Sequence, residues 1–478
     1  MTQSGAGFTL SAMFDPQVYA ARRAALVREL AERGARVGLV VVPGNHEAPM
    51  NYPDNTYRFR QDSSFLYFFG LAEPDLAATL DLDSGTATLY CGELSQDDLV
   101  WTGPRPNRAE RARLCAADAH ADTDRLASDL AAATTAGRPI LYLPPYRADT
   151  RAELASLLGL PLEAVNGKAS MDLIRAVIAL REIKDSGEVA QIDQAVDRSV
   201  AMHQAVIRAA RPGVTEAELM ALAYREALAG GGMPSFPPIA TTRGDVLHNH
   251  GYGHTLESGG LFLLDAGAET GSGYAGDLTS TFPVDARYNE RQRAVYEIVL
   301  AAGRAASSLI RPGVPYRDAH LAAAGVIARG LADLGILKGN PDDAVARGAH
   351  ALFFPHGVGH QMGLDVHDCE ALGELNVGYA EGETKSAQFG LKSLRMAKPV
   401  KPGMVLTVEP GVYFIGGLIA AWKAEGRFAD CIDYEEAERW VGFGGVRNEE
   451  DWLVTESGAR KLGGDFDKSI GAMESLRS

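Results

Sequence analysis

The stretch LFLLDAGAETGSGYAGDLTSTFPV (261–284) decides how this chain is read. Leu261 to Leu264 form a short apolar run of the kind a buried strand carries, and the run delivers an acid, Asp265. After a glycine-rich turn at 271–276, Asp277 opens a second strand rich in Thr and Ser. A buried lone charge is costly, so an acid at the end of an apolar strand must be paired or bound to a cation. Taken singly, each acid also fits a turn or a cap; across one hairpin the two can converge on one point.

Working outward, three later stretches have the same character. In HGVGHQMGLDVHD (356–368), His356, His360 and His367 stand among glycines, which let a backbone bend close to a ligand. In GMVLTVEPGVYF (403–414), Val405 to Val408 deliver Glu409 ahead of a Pro-Gly turn. In GGVRNEEDWLVT (444–455), the period of two puts Arg447 and Glu449 on one strand face and Glu450 on the other. Glu449 is thus the inward candidate, and Glu450 and Asp451 are expected to be solvated. Four carboxylates and one imidazole make a hard, mostly oxygen donor set, suited to Mn²⁺ first, with Co²⁺, Fe²⁺ or Zn²⁺ also possible. Four acids cannot sit together ionised without cations. Two divalent ions neutralise them and can bridge a water that loses its proton near neutral pH and attacks a carbonyl. Neighbouring histidines can steady the oxyanion and pass a proton to the leaving nitrogen.

Between these stretches the chain repeats itself. RPGV occurs at 211–214 and again at 311–314, each time after an amphipathic helical pattern and before another, at 215–229 and 317–334. Thr215 and Glu218 have capping-box spacing. A common helix stop met twice by chance would give the tetrapeptide but not the matching order of elements. Residues ~180–460 are therefore expected to hold two related halves of about 100 residues or more, each supplying a pair of acids to a central cleft. Upstream, 18–33 reads as a helix; VGLVVVP (37–43), FLYFFGL (65–71), TATLYC (86–91) and PILYLP (139–144) read as strands; 109–133 and 152–158 read as helical. This predicts an N-terminal α/β domain, residues 1–165, without a phosphate loop or dinucleotide fingerprint, followed by a catalytic domain, 166–478.

Composition narrows the function. The 478 residues exceed one ordinary core. A formal charge of −16 repels phosphate backbones and anionic lipids, so neither nucleic acid nor membrane is an expected partner. Cys91, Cys115, Cys369 and Cys431 form no C-x-x-C pair and read as free thiols in a reducing compartment. The opening MTQSGAGFTLSAMFDPQ has no basic start and no apolar stretch, so a cytoplasmic protein is expected.

LLDAGAE, GDLTSTFP, HGVGHQMGLDVHD, GMVLTVEPGVYF and GVRNEEDWLVT, in this order, resemble the pita-bread metallopeptidases, specifically their aminopeptidase P and prolidase branch. The resemblance implies an α+β pita-bread catalytic domain with internal pseudo-two-fold duplication. It implies that Asp265, Asp277, His360, Glu409 and Glu449 are metal ligands, with Asp277 and Glu449 bridging and Glu409 shuttling a proton. It places His248, His356 and His367 at catalytic positions, and Arg447 and Arg395 on the substrate side, with Arg395 facing a substrate carboxylate. His250 and His254 stand close enough to His248 to compete for its role. YRFRQDSSFLYFFGLAEPD (57–75) resembles the aminopeptidase P N-terminal domain, which in that family covers the cleft; methionine aminopeptidases lack it. Asn448 departs from the aliphatic residue many relatives carry, and 370–394 and 416–440 are insertions relative to minimal relatives. The implied activity is release of the first residue of a proline-containing peptide at an Xaa-Pro bond, by a homodimer or homotetramer. The alternatives are a prolidase restricted to dipeptides, which Arg395 favours because a bidentate clamp fixes the register of a chain end, or a carboxypeptidase-like use of the same clamp. A non-catalytic binding protein, or a metal-free hydrolase of creatinase type, would have lost the ligand set that is intact here.

Overall fold

A computed structural model describes residues 13–477; the opening stretch read for a leader lies, up to residue 12, outside the described residues. The chain divides into two compact units, Met1–Leu180 and Arg181–Ser478. The boundary differs from the one expected near residue 165. Helix Met171–Arg181 belongs mostly to the first unit, where Leu173, Ile174, Val177 and Ile178 are buried and the Tyr67 hydroxyl donates to Leu180 O at 3.1 Å.

The first unit is built on a five-stranded mixed sheet, in the order Ala119–Ala121, Ala87–Tyr90, Ala77–Asp81, Leu39–Pro43, Ile140–Leu141. Two expectations fail there. FLYFFGL is not a strand: Ser63–Phe69 is a helix with every residue buried. Asp62 caps it by accepting from Ser64 N and Phe65 N, and Gly70, in the left-handed region at φ 65°, ends it. The helical run 109–133 is broken in two, Arg108–Leu114 and Arg125–Thr135, by the strand Ala119–Ala121, which pairs in parallel with Ala87–Tyr90.

The second unit carries the duplication. Helices Ser186–Ala209 and Glu216–Ala229 pack as one pair, Glu290–Ser307 and Tyr316–Asp333 as the other. Capping boxes start three of these four: Asp185 with Glu188, Thr215 with Glu218, Asn289 with Gln292. Each RPGV turns through a left-handed glycine, Gly213 at φ 90° and Gly313 at φ 83°. The two turns make the same bonds: Gly213 N donates to Leu256 O and Glu216 N to His254 O, while Gly313 N donates to Val400 O and Tyr316 N to Lys398 O. From these anchors each half runs into a buried strand, Leu261–Asp265 in one and Val405–Val408 in the other. Asp265 and Glu409 thereby occupy equivalent places, nine residues beyond Leu256 and Val400. The repeat is structural, and it delivers acids in pairs. No helix among the described residues is long and apolar enough to cross a membrane.

Candidate metal centre

Strand Leu261–Asp265 pairs antiparallel with Thr279–Pro283, Asp265 opposite Thr279, and every residue of both is buried. The tight return needs glycine: a Cβ on Gly267 would lie 1.7 Å from Gly276 O. In the other half, Val405–Val408 pairs with Glu450–Val454. The segment carrying His360 lies along the first of these strands, with Thr407 N donating to His360 O and Glu409 N to Val358 O. That approach also requires glycine, since a Cβ on Gly359 would stand 2.1 Å from Thr407 O. The halves are joined where Glu449 N donates to Thr279 O at 3.0 Å.

All ten residues singled out by sequence line one cavity of about 600 Å³: His248, Asp265, Asp277, His356, His360, His367, Arg395, Glu409, Arg447 and Glu449. Phe236, Ile239, Leu247 and Val366 supply its apolar wall. Of the three neighbouring histidines, His248 and His250 line the cavity, whereas His254 is held by Glu216 at 3.0 Å.

Ligand atoms of Asp277, His360 and Glu449 all lie within 4.8 Å of one another, and all three residues are buried. His360 Nδ1 donates to Gln361 O at 3.1 Å, which leaves Nε2, 3.4 Å from Asp277 Oδ2, as the nitrogen that could meet a cation. Asp277 Oδ1 is buried with no hydrogen-bond partner. Burial, and then the neighbouring carboxylates, hold Asp277 and Glu449 well above the usual carboxylate range; burial also raises Glu409, against the pull of His360 and Arg447. Acids crowded in this way, with an orphaned oxygen among them, fit divalent cations. Asp265 lines the same cavity but is engaged elsewhere, accepting from Arg447 Nη2 at 2.6 Å; Glu409 Oε2 lies 3.8 Å from His356 Nδ1.

Several groups that sequence reading did not single out hold this cluster. The Tyr413 hydroxyl lies 2.8 Å from both His356 Nε2 and Arg447 Nη1. With His356 Nδ1 donating to Gly357 O at 2.8 Å, Nε2 is the acceptor, and burial takes this imidazole down to about 3. His367 stacks on His360 with ring centroids 3.8 Å apart; burial, and then His360, take it down to about 4. Thr279 Oγ1 donates to Glu449 Oε2 at 2.8 Å. Lys468, from the C-terminal segment, is buried and donates to Thr279 O at 3.0 Å and Glu449 O at 2.5 Å. The expectation that Glu450 and Asp451 are solvated is wrong. Asp451 is fully buried, and its Oδ2 accepts from Asp277 N at 3.0 Å. Glu450 is half-buried against Lys461 and Lys468. Asp451 shares the face of Arg447 and Glu449 by the same period of two, so its burial continues that face, while Glu450, on the other, is only half-buried.

Fold and cluster together define a metal-dependent peptidase. The pattern of metallopeptidase family M24 matches residues 190–456, and that of the aminopeptidase P N-terminal domain matches 19–142. The chain is 34% identical to the Xaa-Pro dipeptidase of Homo sapiens over 439 residues, covering 89% of this chain and 85% of that protein. It is 30% identical over 459 residues to a probable Xaa-Pro aminopeptidase of Metarhizium acridum, covering 90% and 88%. Among solved structures, Pseudomonas aeruginosa aminopeptidase PepP superposes with a TM-score of 0.79 at 27% identity over 97% of this chain and 98% of that one. Zn-substituted Escherichia coli aminopeptidase P in complex with product gives 0.78 at 26%, with 97% and 98% covered. The chain belongs to metallopeptidase family M24, in its aminopeptidase P and prolidase branch.

Proposed function

We propose that this protein is an Xaa-Pro exopeptidase that releases the first residue of a peptide whose second residue is proline. The observation that carries the reading is the convergence of three buried candidate ligand atoms with Asp265, Glu409 and four further histidines in one cavity. Asp265, Asp277, His360, Glu409 and Glu449 would hold two divalent cations, and the oxygen-rich donor set favours Mn²⁺. When bound, such ions supply Lewis acidity at the scissile carbonyl and acidify water.

The chain's own groups do the rest. Glu409 is the carboxyl placed to take a proton from the attacking water and return it to the proline nitrogen. His248 stands beside the cluster as a donor to the carbonyl oxygen, whereas His367, its Nδ1 proton given to Glu370, presents an accepting Nε2. His356 is held by Tyr413 and Gly357, so its part is to fix the wall next to Glu409. Phe236, Leu247 and Val366 give the cavity an apolar wall, which strengthens the charge interactions next to it. Four buried free cysteines support a reducing, cytoplasmic setting. A homodimer or homotetramer is carried over from the family resemblance.

A dipeptidase is the second reading. Arg395 stands in the same cavity, where it can meet the carboxylate of a substrate that ends at proline. Hydrolysis of Gly-Pro beside Gly-Pro-Ala with Mn²⁺, read by mass, separates the two. Gly plus Pro-Ala establishes the aminopeptidase, cleavage of Gly-Pro alone the dipeptidase, and cleavage of neither refutes both.

A further inference from the structure

We propose that Glu370 is a positioning residue that ties Arg395 to His367 through a single oxygen, and so sets the preference for a substrate carboxylate. The proposal rests on the exopeptidase reading above. Glu370 follows His367 by three residues, at the start of a single 3-10 turn, Glu370–Leu372. Cys369 before it is in the left-handed region at φ 63°, which folds the chain back so that Glu370 faces His367. Glu370 Oε2 accepts from His367 Nδ1 at 3.0 Å and from Arg395 Nη1 at 2.6 Å. The Glu370 carboxylate is 16% exposed and its partner Arg395 38%, so the ion pair is partly screened.

The two partners stand at different ends of the chemistry. His367 is stacked on His360, and with its Nδ1 proton given to Glu370 its Nε2 is left to face the substrate as a hydrogen-bond acceptor. Arg395 gives Glu370 one N–H of its five and keeps the others, so its guanidinium can still meet a carboxylate through two parallel bonds. Glu374, 3.8 Å away, is a second anion near the same Arg395 nitrogen, but Lys385 already pairs with it. Glu370 is thus the group that holds a long, rotatable arginine in place while it sets the tautomer of an imidazole beside the metal ligands.

The two roles separate by chemistry. Glutamine at 370 keeps a carbonyl oxygen for His367 Nδ1 but lacks the charge that holds Arg395. Alanine removes both. The test measures kcat and KM of Glu370→Ala and Glu370→Gln with Mn²⁺, on whichever of Gly-Pro and Gly-Pro-Ala the unaltered protein cleaves. Inhibition constants for L-proline and L-prolinamide are measured in parallel, a quantity that does not depend on kcat. Loss of one charge-assisted bond corresponds to about tenfold. The expected result is a kcat about tenfold lower in Glu370→Ala and largely restored in Glu370→Gln. In both variants L-proline should inhibit about tenfold more weakly, and L-prolinamide nearly as before. Glu370→Gln, which keeps size and polarity, carries the test if the alanine variant fails to fold. Parallel loss of kcat and of both inhibitors in Glu370→Gln would overturn the proposal, as would no change in the proline-to-prolinamide ratio. An unaltered protein that cleaves neither peptide would overturn the exopeptidase reading instead.

Discussion

Arg447 is a buried cation among the acids, and its removal gives a prediction whose size follows from the structure. Its guanidinium donates to Asp265 Oδ2 at 2.6 Å, to the Tyr413 hydroxyl at 2.8 Å and to Thr279 Oγ1 at 3.3 Å. The Arg447 side chain is 4% exposed and that of Asp265 13%, so the pair is weakly screened. Arg447→Met keeps much of the volume and leaves Asp265 without its partner. Breaking a buried pair by removing one member costs about 3–5 kcal/mol. At roughly 2 °C per kcal/mol in a unit of this size, the thermal midpoint of the chelator-stripped protein should fall by about 6–10 °C. Excess Mn²⁺ should restore part of the loss, because a ligand at a thousand times its Kd stabilises by about 4 kcal/mol. Urea unfolding of Arg447→Met, Asp265→Asn and the double variant measures the coupling, expected at about 2 kcal/mol or more. Additivity within about 0.5 kcal/mol would refute the reasoning and leave Arg447 without an energetic tie to Asp265.

Other predictions follow from the same groups. Asp277→Asn should abolish activity and weaken metal binding, measured by equilibrium dialysis, yet raise the stability of the stripped protein, because it removes a carboxyl held above its ordinary range by burial and its neighbours. A carboxyl whose folded-state pKa is raised stabilises the fold below its unfolded value, and that stability is lost as pH rises through the raised value. The stripped protein should therefore weaken upward from about pH 4, and less steeply in the Asp277→Asn variant; a steeper fall in the variant contradicts this. Lys468→Met should cost about 1.5–3 kcal/mol, the worth of hydrogen bonds from a charged donor, and lower Mn²⁺ affinity because Thr279 and Glu449 lose their shared clamp; unchanged affinity would make Lys468 purely a stabiliser. In the first unit, His46 is raised to about 10 by hydrogen bonds to Asp75 and Glu153. Its contribution is present below about pH 6.5 and lost as pH rises through about 10, so His46→Gln should destabilise at pH 6 and be neutral above pH 10. With the ring partly solvent-exposed, the effect should stay within about 1 kcal/mol.

Asp265 and Glu409 were legible in the sequence because each ends an apolar strand-like run, where a charge demands compensation; Asp277 was legible across the same hairpin from Asp265, and Glu449 by sharing a strand face with Arg447. The duplication was legible because RPGV is a complete helix stop whose glycine needs a left-handed backbone, and it occurs twice in the same setting. FLYFFGL was misread because seven residues buried on every side carry no period; the deciding signals were Asp62 and Gly70 at its ends. Strand Ala119–Ala121 was invisible because its sequence, Ala-His-Ala, has no strand preference and is fixed by pairing with Ala87–Tyr90. Asp451 and Lys468 escaped notice for a common reason. Burial of Asp451 depends on Asp277, 174 positions away, and that of Lys468 on Thr279, 189 positions away. Glu370 left a fainter trace, an acid three residues after a histidine, which gains meaning only once Arg395 is seen beside it.

The most direct test titrates Mn²⁺ into chelator-stripped protein while hydrolysis of Gly-Pro-Ala is followed by mass. The account predicts no turnover without metal, activity that rises to a plateau at two ions per chain, and Gly with Pro-Ala, or Gly with Pro where the substrate is Gly-Pro, as the only products. Turnover in the stripped protein, or cleavage at any bond other than Gly-Pro, would contradict it.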